Sequence, residues 1–164
     1  MKTLLLLRHA KSSWNDPDLQ DFERPLNQRG RKAAPLIGRF MLQEGLVPDL
    51  ILSSPAERAR QTIALIVEAA HLEGELRYDE RIYEASAESL LEVVSGAEDR
   101  FAILLLVGHN PGMEDLLLLL SGETVRMPTA ALAAITFDTE KWIKVNERKG
   151  QLQSLTTPKE LPDY

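Results

Sequence analysis

The apolar positions of this chain fall first into short unbroken runs, Leu4–Leu7 and Phe101–Val107 being the clearest. Continuous runs of that length predict strands buried on both faces, as in a parallel sheet. Asp49–Leu52 and Leu76–Tyr78 read as further short strands. Between them the apolar spacing turns helical. One helix is predicted over Gln28 to about Glu44, with Pro35 expected to kink or delay it. A second opens at Ser54-Pro55-Ala56-Glu57, read as a capping box with Ser54 as N-cap. It buries Ala59, Thr62, Ile63, Ile66 and Ala70 and ends near His71. Ser86 caps a third helix reaching Ser95, and a fourth runs from Asn110-Pro111 to Leu120. Glu80–Tyr83 reads as a loop. Leu132–Phe137, Lys141–Arg148 and Leu152–Leu155 read as strands spaced for antiparallel hairpins.

Alternating strands and helices imply right-handed crossovers over one sheet. The expected fold class is α/β: three layers, α/β/α, with a largely parallel sheet and an antiparallel edge. Residues 1–155 are expected to form one domain and 156–164 a C-terminal tail. Both long apolar runs end on a histidine, His9 after Arg8 and His109 after Gly108, and the chain has only three histidines. Ligands of open α/β sheets sit beyond the carboxyl ends of the strands. The two imidazoles are therefore expected at one site. The polar stretch Ala10–Asn27 is a long loop of the kind that often carries function.

Composition narrows the chemistry. The 164 residues include no cysteine, which removes disulfides, thiolate catalysis and cysteine-held metals. No histidine or carboxylate spacing matches a metal site, so none is expected. The net charge of −6 opposes nucleic acid and anionic membranes. The apolar start stops at Arg8-His9 without a cleavage site, and no run is long enough to span a bilayer, so a cytoplasmic location is expected. An anionic ligand then needs cations gathered locally. Arg8 sits beside His9, and Arg58 lies in the first turn of a helix, where amides and dipole favour phosphate. Each alone also reads as an ordinary surface residue.

Taken together, Leu7-Arg8-His9-Ala10-Lys11, Arg24-Pro25-Leu26, Ser53-Ser54-Pro55 with Arg58, Tyr83-Glu84-Ala85, Gly108-His109-Asn110-Pro111 and Met127-Pro128-Thr129 resemble the histidine phosphatase superfamily, whose fold is that of phosphoglycerate mutase. The SixA-like phosphohistidine phosphatase branch is the nearer likeness. The resemblance implies that His9 is a nucleophile that becomes phosphorylated, with Arg8, Arg58 and His109 holding the phosphoryl oxygens and no cofactor. It makes Glu80 the positional candidate for a general acid, with Glu84 as a neighbour. Asn15, Arg24 and Asn110 are candidate substrate contacts. Ala10 stands where many relatives have glycine.

An alcohol phosphate needs an acid for its leaving oxygen, whereas phosphohistidine can depart as neutral imidazole. The chain also has little length for a lid, and an open cleft favours hydrolysis over phosphoryl return. The expected activity is a cytoplasmic phosphatase acting on phosphohistidine in a protein. Phosphomonoester hydrolysis of small sugar or nucleotide phosphates and non-catalytic phosphate binding are the alternatives.

Overall fold

A computed structural model describes all 164 residues. Its elements are β1 (Lys2–Arg8), α1 (Gln28–Gln43), β2 (Leu50–Ser53), α2 (Glu57–Ala70), β3 (Glu75–Tyr78), α3 (Ala87–Ser95), β4 (Ile103–Gly108), α4 (Gly112–Ser121), β5 (Leu132–Phe137) and β6 (Gln151–Thr156). They build one six-stranded sheet in the order β3-β2-β4-β1-β5-β6. The first four of these are mutually parallel, while β5 runs antiparallel to both β1 and β6. The α/β class with an antiparallel edge is as the sequence predicts.

Alternation along the strands makes the three layers. Leu4, Leu6, Leu50, Leu52, Leu104 and Leu106 face one core, which α3 and α4 close with Leu90, Val93, Val94, Leu116 and Leu117. Leu5, Leu7, Ile51, Leu105 and Val107 face the other, closed by Ala34, Ile37 and Met41 of α1 and Ile63 and Ile66 of α2. The unbroken leucine runs are thus two interleaved sets, one for each face.

Register fixes what emerges at the strand ends. Arg8 of β1 lies opposite Gly108 of β4, and Ser53 of β2 lies opposite Val107. The next residues, His9, His109 and Ser54, leave three adjacent strands at the same edge. The His9 amide still donates to the Gly108 carbonyl at 3.1 Å, and the Ser54 amide to Val107 at 3.0 Å.

Several local expectations need correction. Pro35 lies inside α1 and does not delay it, since the helix starts at Gln28, and the Asn27 side chain caps it by accepting from Gly30. Gly30 is required by space: a Cβ there would lie 2.2 Å from the Lys11 carbonyl oxygen, so α1 presses directly on the loop behind His9. Ser54 does not cap α2, whose N-cap is Ala56 with no side-chain bond. Its hydroxyl is held at the sheet edge instead. Lys141–Arg148 is not a strand; Trp142–Lys144 forms a 3-10 turn. Trp142 is fully buried, with its indole N–H on the Phe101 carbonyl at 2.8 Å and its amide on Asp99, and those bonds replace a ladder. Glu80–Ile82 likewise forms a 3-10 turn. Beyond β6, a 3-10 turn at Pro158–Glu160 packs on α1, with Pro158 buried. No helix is long and apolar enough to cross a membrane.

Candidate active site

At the end of β1 the His9 ring is buried, and its Nδ1 lies 2.7 Å from the Ala10 carbonyl oxygen. A carbonyl only accepts, so Nδ1 carries the proton and Nε2 keeps its lone pair. The Ala10 amide donates to the Thr62 hydroxyl at 3.0 Å, which in turn donates to the Arg58 carbonyl at 2.7 Å. Helix α2 therefore anchors Ala10, the residue whose carbonyl sets the histidine tautomer. Burial pushes the imidazole down to about 3; the bond to Ala10 opposes this, and His109, Arg58 and Arg8 reinforce it. His9 is neutral near pH 7 and able to act as a nucleophile.

His109 faces it across the sheet edge, the ring centroids 5.0 Å apart. Its Nε2 and the Ser54 hydroxyl are 2.7 Å apart, and its Nδ1 is buried without a partner. Burial first, and then Arg58, lowers it to about 4. Behind the rings, Arg8 donates from Nη1 to the Met127 carbonyl at 3.1 Å, leaving Nε buried and unpartnered. Glu114 of α4 holds this wall by accepting from Asn110 Nδ2 at 3.0 Å and from the Met127 amide at 2.7 Å. Arg8 Nε is an unpartnered donor that an anion's oxygen would satisfy, and so is His109 Nδ1 in the tautomer in which the Ser54 hydroxyl donates to Nε2.

The opposite wall is Arg58, buried in the first turn of α2. It donates to the Asp21 carbonyl at 2.7 Å and to the Asp21 carboxylate at 3.0 Å. Tyr83 and Arg24 donate to the same carboxylate at 2.6 and 3.0 Å. Burial alone would raise Asp21, but Tyr83, Arg58 and Arg24 outweigh it and hold the carboxyl at about 2. Burial, followed by Asp21, pushes Tyr83 up to about 12. Asp21 thus fastens the loop after β1 to Arg58, and the guanidinium keeps further N–H donors for a ligand.

These groups surround a cleft of about 220 Å³ lined by Arg8, His9, Lys11, Ser12, Trp14, Arg24, Arg58, His109, Asn110 and Thr129. Four cations line it and no carboxylate does, in a chain with six more acids than bases. The structure brings together Arg8, His9, Arg58 and His109, with Arg24 and Asn110 beside them. Arg24 lies 3.2 Å from the Trp14 ring and donates to Ser12 and Ser13. Asn15 and Glu80 do not line the cleft: Asn15 is exposed, its amide on the Ser13 hydroxyl, and Glu80 is exposed in its 3-10 turn. Glu84 is exposed too.

Asp21, Ser54 and Glu114 are not among the site residues that the sequence suggests. The spacing of Asp21 and Arg24, three residues apart, signals their pairing but not the reach of Asp21 to Arg58. Ser54 was spent on a cap that does not form, and Glu114 is one of many helical glutamates.

Burying two neutral histidines has a cost at low pH. Both folded values, about 3 and about 4, lie below the ordinary 6.5. Between about pH 6.5 and pH 4 the unfolded chain binds more protons, so stability falls as pH falls, by up to about 1.4 kcal/mol per pH unit for each histidine. Denaturant unfolding at pH 7 and pH 5 should show this loss, and His9→Gln should reduce it. A wild-type stability that is unchanged across that range would contradict the buried neutral rings.

The sequence profile described as histidine phosphatase superfamily (branch 1) matches residues 4–92. An uncharacterized protein of Mycobacterium tuberculosis is 36% identical over 115 residues, 70% of this chain and 70% of its own. Phosphoserine phosphatase 1 of Hydrogenobacter thermophilus is 39% identical over 82 residues, 44% of this chain and 35% of its own. A crystal structure assigned as the phosphohistidine phosphatase SixA of Agrobacterium tumefaciens superposes with a TM-score of 0.84 at 31% identity, covering 96% of this chain and 98% of that one. With its phosphoglycerate mutase-like α/β fold, the chain belongs to the histidine phosphatase superfamily and is a hydrolase of the phosphatase class.

Proposed function

We propose that the protein removes phosphoryl groups from phosphohistidine in proteins, through a phosphorylated His9. The observation that carries the reading is the His9 tautomer: Nδ1–H is committed to the Ala10 carbonyl, so the lone pair of Nε2 is presented inside a cleft of cations. In the first step the Nε2–P bond forms while the bond from phosphorus to the leaving group breaks. Arg8 and Arg58 take the charge spread over the equatorial oxygens, and His109 joins them as an Nδ1–H donor, with its Nε2 accepting from the Ser54 hydroxyl. The phosphorylated ring keeps its Nδ1 proton on Ala10 and carries a positive charge. Water then attacks phosphorus and gives up a proton to the phosphate product, and His9 leaves as neutral imidazole. Asn110 and Arg24 border the cleft as substrate contacts.

The leaving group sets the substrate class. Glu80 is outside the cleft, and Asp21, at about 2, is ionised and unable to donate a proton at neutral pH. A phosphohistidine protonated on its other nitrogen departs as neutral imidazole and needs no acid. The cleft meets solvent beside the exposed Lys11 and Trp14, where a side chain of a folded protein can enter. The phosphoserine phosphatase relative supports a second reading, hydrolysis of small phosphomonoesters.

The two readings separate on kcat/KM measured for a phosphohistidine-bearing protein and for phosphoserine or a sugar phosphate. The first reading expects the phosphohistidine substrate to lead by about 100-fold or more, the scale of general acid catalysis that the alcohol substrate lacks. Equal or reversed rates would overturn it.

A further inference from the structure

A larger, solvent-open groove of about 750 Å³ adjoins the catalytic cleft. Lys11 and Thr129 line both, so the two are one continuous surface. Arg29 and Lys32, three residues apart on one face of α1, form one wall. Lys159 comes from the 3-10 turn after β6, which the burial of Pro158 seats beside α1. Lys11, Arg29, Lys32 and Lys159 are all exposed, and none forms an ion pair. Glu160, the nearest acid in sequence to Lys159, is held by Thr157 in a capping box.

Like charges gathered without counter-charges repel, and in an acidic chain their grouping at one place needs a reason. The phosphoryl cup lies in the smaller cleft, so whatever enters the groove is attached beyond the phosphorylated group. The cations come from three separate segments, and the exposed Pro128 adds apolar surface to the lining. That arrangement suits a polypeptide bearing several carboxylates better than a second phosphate.

Building on the phosphohistidine reading, we propose that this groove docks acidic side chains flanking the phosphorylated residue of a protein substrate. The test uses two phosphohistidine peptides of equal length, one with Asp and Glu around the histidine and one with Asn and Gln. At low salt the wild type should favour the acidic peptide by about 10-fold or more in kcat/KM, and the preference should fade in high salt. A Lys32→Glu, Lys159→Glu variant should lose the preference while hydrolysing phosphoramidate at the wild-type rate. Equal kcat/KM for the two peptides in the wild type, or a preference that survives charge reversal, overturns the proposal. If neither peptide is hydrolysed, the phosphohistidine reading fails, and the groove is judged by binding of the same labelled peptides to His9→Ala. Tighter binding of the acidic peptide then supports the groove, and equal binding overturns it. A single-stranded oligonucleotide bound more tightly than the acidic peptide also overturns it.

Discussion

His9→Ala should abolish turnover, lowering kcat by at least about 10⁴-fold on every phosphorylated substrate, as loss of a covalent nucleophile does. The His9 imidazole presents to the cleft an Nε2 lone pair that the Nδ1–Ala10 bond holds in place. Removing it leaves Arg8, Arg58 and His109 standing, so the variant should still bind inorganic phosphate. Loss of turnover with binding retained separates a missing nucleophile from a collapsed site. Thermal unfolding and phosphate titration by calorimetry check the two halves. A variant retaining a tenth of the wild-type activity would remove His9 from the chemistry.

Arg58→Ala should cost about 10²–10³-fold in kcat/KM, the scale of losing one preorganised donor to transition-state charge. Two effects add. The guanidinium that lines the cleft is gone, and the Asp21 carboxylate keeps only Arg24 as a cationic partner, so it repels a phosphoryl group more strongly. Asp21→Asn in the Arg58→Ala background should therefore recover part of the loss, although each change alone removes a native bond. Steady-state kinetics on the two single variants and the double variant measure that coupling. Strict additivity would mean that Asp21 and Arg58 act separately. Arg58→Lys should restore little, since a lysine carries the charge without the fork that reaches Asp21 and substrate together.

Much of this site was legible along the chain, for reasons that can be named. Strand ends are visible as the last residue of an apolar run, so the sequence alone places His9 and His109 at the sheet edge. Parallel pairing of β1 with β4 then needed only the register Arg8 to Gly108 to bring the rings together. Arg58 was legible because the start of α2 is. What was missed depends on loops. The loop after β1 folds back so that Asp21, and not Asn15, reaches the cleft wall at Arg58, a closure that no local periodicity encodes. Ser54 carries a good cap signal, but extended backbone through Ala56 delays the helix and frees the hydroxyl for His109. Trp142 looked like strand sequence because indole suits an edge; burial with a hydrogen bond to Phe101 was the tertiary alternative.

The central claim, that phosphate leaves by way of His9, is tested most directly by stereochemistry at phosphorus. A thiophosphoryl substrate carrying two oxygen isotopes would be hydrolysed in water of the third isotope. Each in-line displacement inverts the centre, so transfer to His9 followed by transfer to water predicts net retention. Net inversion would mean that water attacks the substrate directly, and the account would be wrong.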